Sequence, residues 1–100
     1  MIKIKVVKDN NYIKQITLKG HANYSEYGKD IVCAAVSATY LCTINGILSI
    51  YPECIKVLTS NDIQMIDILE ENDIVEKLLK NMINCLESLE QQYPNNINIK

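Results

Sequence analysis

No charged residue falls between Ile31 and Tyr51. An apolar segment of that length must be a buried helix, a helix shared with a partner, or a membrane span. About 20 residues just suffice to cross a bilayer. Ser37, Thr39, Thr43, Asn45 and Ser49 interrupt the run, however, and no membrane association is expected. Burial accounts for the segment better, with one face on a sheet and the other free to pack on a second chain. Asp30, at its start, is a preferred N-cap. Gly46 sits late in the run, so the helix is expected to end or loosen there.

The chain on either side reads as strands and a second helix. Ile2, Ile4 and Val6 alternate with Lys3, Lys5 and Val7, the pattern of a half-buried strand. Asp9-Asn10-Asn11 is turn chemistry, and Tyr12–Leu18 reads as a strand pairing back on the first. Residues Lys19 to Lys29 carry Gly20, Gly28, Tyr24, Tyr27 and small polar side chains, and read as a loop. After the turn at Pro52-Glu53, Ile55–Thr59 and Ile63–Leu69 read as a second hairpin around Ser60-Asn61-Asp62. Asn72 or Asp73 then caps a helix whose stripe is Val75, Leu78, Leu79, Met82, Leu86 and Leu89. Pro94 stops it, and Ile97 and Ile99 form a short last strand. The order is ββαββαβ. It predicts an α+β fold: a two-layer sandwich with both helices on one face of a mostly antiparallel sheet. One domain is expected over all 100 residues.

Composition narrows the function. The ten cations are all Lys and the net charge is −2. Arg, the preferred residue for forked contacts to phosphate and guanine, is absent, so no direct binding of nucleic acid is expected. The four cysteines, Cys33, Cys42, Cys54 and Cys85, form no C-x-x-C pair, and there is one His. That leaves almost no ligand pattern for zinc, and neither metal nor cofactor is expected. The alternating amino terminus is not the apolar core of a signal peptide, so the expected compartment is the reducing cytoplasm and the thiols should be free.

One segment could carry chemistry: Gly20-His21-Ala22, a short loop, then Gly28-Lys29-Asp30-Ile31-Val32-Cys33-Ala34-Ala35-Val36-Ser37. With Asp30 as N-cap, Cys33 lies in the first helical turn, where free backbone N–H groups and the positive end of the helix dipole favour thiolate. The intervening loop is short enough to bring His21 back onto the sulfur. A Cys–His pair is the minimum for covalent acyl transfer, and the same N–H groups could hold an oxyanion. The bland alternative is a structural Cys and an idle His, since most free cysteines are small buried hydrophobes. Cys42 and Cys85 lie inside predicted helices and read as core.

These motifs resemble the signature of the ribosomal-processing cysteine protease family, Prp. The specific matches run from Gly20 to Ser37; Tyr93-Pro94 and the Ile-rich end are also similar, and the resemblance covers the whole chain in length and element order. It implies a bacterial cytoplasmic thiol protease acting as a homodimer. Its implied substrate is the precursor of large-subunit ribosomal protein twenty-seven, from which a short apolar, aromatic-containing amino-terminal extension is removed. The family nucleophile falls on Cys33 and its histidine on His21. Asp30 and Ser37 match two further motif positions. Asp30 either orients His21 or only caps the helix. Ser37, one turn after Cys33, either contacts the site or substrate or bonds back to a helix carbonyl. The loop from Ala22 to Lys29, with Gly28 as a hinge, resembles the family's cover over substrate access. The competing reading is a non-catalytic ribosome-associated binding module of the same fold.

Overall fold

The computed structural model describes residues 1–26 and 28–100; Tyr27, within the expected loop, lies outside the described residues. The elements are β1 (Ile2–Asp9), β2 (Tyr12–Lys19), α1 (Ile31–Ile50), β3 (Ile55–Ser60), β4 (Ile63–Ile68), α2 (Asp73–Gln92) and β5 (Ile97–Ile99). This is the ββαββαβ order that the hydrophobic pattern predicts.

Local chemistry sets the turns. Asn10 and Asn11 both take positive φ, 52° and 67°, as a tight two-residue hairpin between paired Asp9 and Tyr12 requires. The second hairpin closes between paired Ser60 and Ile63, with Asn61 at φ 37°. The five strands lie in the order β3-β4-β2-β1-β5. The β1–β2, β2–β4 and β3–β4 pairs are antiparallel and β1–β5 is parallel. The last strand is held by Glu90, whose Oε2 accepts from the Ile99 N–H at 2.8 Å.

Register decides which side chains are buried. Leu18 stands opposite Ile4, and Ile16 opposite both Val6 and Ile66, so one face of the sheet is apolar. The pairing steps from Val7↔Gln15 to Lys8↔Ile13, leaving Lys14 as the extra residue of a bulge. That step brings Ile13 onto the buried face beside Ile16 despite their odd spacing. The Ile13 N–H is accepted by Glu76 Oε1 of α2 at 3.0 Å.

Both helices pack into this core. Val32, Val36, Tyr40, Ile44 and Ile47 are the buried residues of α1; Val75, Leu79, Met82 and Leu86 are those of α2. Asp30 and Asn72 are the N-caps, each accepting two backbone N–H bonds in the first turn. Two sequence expectations fail here. The helix does not end at Gly46 but runs on to Ile50, because its flanking residues Ile44 and Ile47 are anchored in the core. An interior glycine costs about 1 kcal/mol relative to Ala, less than a buried Ile contributes. Cys42 and Cys85 are exposed rather than core, lying on the helix faces turned from the sheet.

Candidate active site

The site lies where the ends of β2 and β4 meet the start of α1. Lys19 pairs with Ile63, so the residues leaving β2 run beside the Asn61-Asp62 turn that enters β4. Gly20 makes the exit possible. Its φ is 94°, and a Cβ there would sit 2.7 Å from the Met1 carbonyl oxygen, so conformation and space both exclude a side chain. The Gly20 N–H donates to the Asp62 carbonyl at 3.0 Å. The next residue, His21, places Nε2 2.9 Å from Asp62 Oδ1.

Ala22 turns inward. It is buried; its carbonyl accepts from Asn96 Nδ2 at 2.9 Å, and its N–H donates to Cys33 Sγ at 3.3 Å. The sulfur is thus reached by the residue next to His21, which draws the loop back onto the start of α1. Cys33 itself is half-buried, in the first turn of the helix. No hydrogen bond joins His21 to Cys33 among the described residues. Catalytic contacts are often long until substrate is bound.

Asp30 organises the helix start and the loop together. Oδ1 accepts from the Val32 and Cys33 N–H groups at 2.9 and 3.0 Å. Oδ2 accepts from the Tyr24 and Ser25 N–H groups at 2.9 and 3.2 Å. Partial desolvation pushes the carboxyl up, but these N–H bonds, that of Cys33 foremost, prevail and hold it below the ordinary Asp value. The carboxylate bonds backbone on both sides, while the imidazole bonds Asp62. The helix-start N–H groups proposed as oxyanion donors are largely engaged: Val32 and Cys33 donate to Asp30 Oδ1, and Ala34 to the Asp30 carbonyl.

His21, Cys33, Asp30, Ser37 and Gly28 all border one cavity of about 620 Å³. Ser37 is exposed, and its hydroxyl has no hydrogen-bond partner among the described residues. Thr39, Thr43 and Ser49 of the same helix instead bond back to carbonyls. Gly28 is exposed with φ 86°. Ala22 is the fixed end of the loop, and Tyr24 is held by an edge-to-face contact with Tyr93 at 5.3 Å between ring centroids.

Among the cavity-wall residues that sequence reasoning missed are Tyr40, Gln64 and Asp62. Burial raises the Tyr40 phenol, whose O–H donates to Gln64 Oε1 at 3.5 Å. Asp62 is 41 residues from His21 and carries only turn signals locally. Its role follows from the β2–β4 pairing, which neither hairpin reveals by itself.

Known proteins share this fold. A family model described as Cysteine protease Prp matches residues 1–98. A ribosomal processing cysteine protease Prp of Staphylococcus aureus is 30% identical over 98 residues, covering 93% of this chain and 91% of that protein. A crystal structure of the S. aureus protease with a covalently linked product peptide matches with a TM-score of 0.94 at 29% identity, covering 100% of this chain and 98% of that one. A second, with a substrate peptide, matches with a TM-score of 0.87 at 28% identity and the same coverage.

Proposed function

From the premise that this chain belongs to the Prp family of ribosomal processing cysteine proteases, we propose that Cys33 is its nucleophile, His21 its base, and the precursor of large-subunit ribosomal protein twenty-seven its substrate. The observation that carries the residue assignment is the single cavity on which Cys33 and His21 converge, with the Ala22 N–H on the sulfur. The covalently linked product peptide held by the S. aureus relative is the outcome expected of a nucleophilic thiol.

In this reading His21 takes the Cys33 thiol proton as Sγ attacks the scissile carbonyl. The C–N bond breaks, and the same proton passes from the imidazolium to the leaving amine. The amino-terminal extension remains on sulfur as a thioester. Water then attacks that ester, giving its proton to His21, and the thiol is restored. The Ala22 N–H contact strengthens as charge builds on the sulfur. Ser37, with its free hydroxyl at the cavity wall, contacts substrate rather than the helix. Asp30 caps α1 and holds the loop, and is not a member of the Cys–His pair. No metal or cofactor enters this scheme.

The chain acts in the cytoplasm as a homodimer, with nucleic acid no direct partner. What supports the dimer is the exposed apolar face of α1; what supports the rest is the absence of Arg and the free thiols.

Mass spectrometry of the extended precursor after incubation tests the assignment. Cys33→Ala abolishes processing with the fold intact, while the exposed Cys42→Ala and Cys85→Ala keep near-full activity. Complete processing by Cys33→Ala would sink it.

A further inference from the structure

We infer that Asp62 is a positioning residue for His21: its carboxylate takes the Nε2–H and leaves Nδ1 as the nitrogen that receives the Cys33 proton. The inference rests on the reading of Cys33 and His21 as nucleophile and base.

An ionised carboxylate is acceptor-only, so at 2.9 Å from Oδ1 the ring nitrogen Nε2 must be the donor. A neutral imidazole carries one N–H, which leaves Nδ1 with a free lone pair. The main chain reinforces the side-chain bond. The Asp62 carbonyl takes the Gly20 N–H at 3.0 Å, so the turn grips the segment bearing His21 at two successive residues. Only glycine fits at this junction, since a Cβ at residue 20 would meet the Met1 carbonyl. Asp62 stands on a two-residue loop between paired Ser60 and Ile63, which gives it a defined place on the cavity wall. Within the motif Asp30 is the nearer carboxylate in sequence, but both its oxygens are occupied by backbone N–H groups.

Exposure sets the size of the effect. The His21 and Asp62 side chains are 53% and 60% exposed. A buried triad carboxylate is worth about 10⁴-fold in turnover. A pair in water competes with solvent and is screened by salt, so about tenfold is expected here.

The test combines kinetics with imidazole nitrogen NMR, which is unambiguous because the chain has one His. In the wild-type protein the neutral ring should carry its proton on Nε2. Asp62→Ala should lower kcat about tenfold on a peptide spanning the precursor cleavage site, with KM within twofold. Asp62→Asn keeps a residue suited to the turn and should fold normally, but its amide can donate as well as accept and no longer fixes the tautomer, so its kcat should fall about as far as that of Asp62→Ala. A kcat for Asp62→Ala within twofold of wild type overturns the inference, as does a loss confined to KM. So does an Asp62→Asn protein with kcat within twofold of wild type, or a wild-type ring protonated on Nδ1. Retained cleavage by Cys33→Ala or His21→Ala would instead remove the reading beneath it.

Discussion

Four backbone N–H groups converge on the Asp30 carboxylate, two from α1 and two from the loop. The sequence left Asp30 between capping and orienting His21, and the choice could not be made there. The position three residues before the nucleophile suits a cap but does not exclude a carboxylate that orients His21. The second pair of bonds, to Tyr24 and Ser25, belongs to a loop geometry that residue types alone do not encode. It changes what substitution should do. Asn can still accept for the cap, but its amide group faces the Tyr24 and Ser25 N–H groups as a donor. Asp30→Asn should therefore keep its helix content, release the loop and slow processing; unchanged processing would show that the loop bonds are idle. The carboxyl also sets a pH dependence. Its folded-state value is depressed, so its contribution to stability is present above the unfolded value of about 3.9 and is lost as pH falls through the folded one. The Tyr24 and Ser25 amide shifts should titrate with a midpoint below that of free Asp. A midpoint above it would show that desolvation outweighs the four bonds.

At the scale of elements, periodicity was a good guide where a face was amphipathic and a poor one where it was not. The α2 stripe from Val75 to Leu86 is buried as its spacing predicts. Caps at Asp30 and Asn72 and the stop before Pro94 were likewise readable. Within α1 apolar residues fall on every face, so the pattern could not distinguish the core face from the open one, and Cys42 was misplaced. The bulge at Lys14 was also silent, since a one-residue slip leaves no local mark. The exposure of Cys42 and Cys85 sharpens a test of α1 as an activating element. If access alone governed alkylation, these two thiols would react first. If the helix start, the Ala22 N–H and His21 activate the half-buried sulfur, Cys33 reacts first despite poorer access. Cys54 should react last: burial, with Glu53 and Glu70 beside it, pushes its thiol up and it is 2% exposed. Peptide mapping after brief iodoacetamide treatment should give the order Cys33, then Cys42 and Cys85, then Cys54. Cys42 or Cys85 ahead of Cys33 would show that α1 confers no activation.

For the whole molecule, the layer arrangement was legible because two hairpins, each followed by a helix, leave few ways to cover one sheet face. The strand order was not: pairing of β2 with β4, and of β5 parallel to β1, joins segments distant in the chain. The surface of α1 was legible only as a surplus of apolar residues, and the structure locates it. Ile31 and Leu41 are 56% and 51% exposed, and the helical repeat puts the exposed Ala34, Ala38 and Cys42 on the same face. The helix meets the length and hydropathy of a membrane span. Yet Val32, Val36, Tyr40, Ile44 and Ile47 belong to the same core cluster as the sheet residues, and a span would have to abandon that packing. A second copy, as proposed above, would cover the exposed face without that loss, and the small Ala38 would permit close approach of two helices. Apolar patches of this kind on soluble proteins mark interfaces. Sedimentation in detergent-free buffer should therefore show a dimer at micromolar concentration. Leu41→Asp puts a charge at the middle of the patch without touching the core. It should yield a folded monomer with unchanged circular dichroism, because a buried unpaired carboxylate is too costly for the interface to keep. A wild-type monomer at that concentration, or a Leu41→Asp protein that still sediments as a dimer, would refute α1 as the contact.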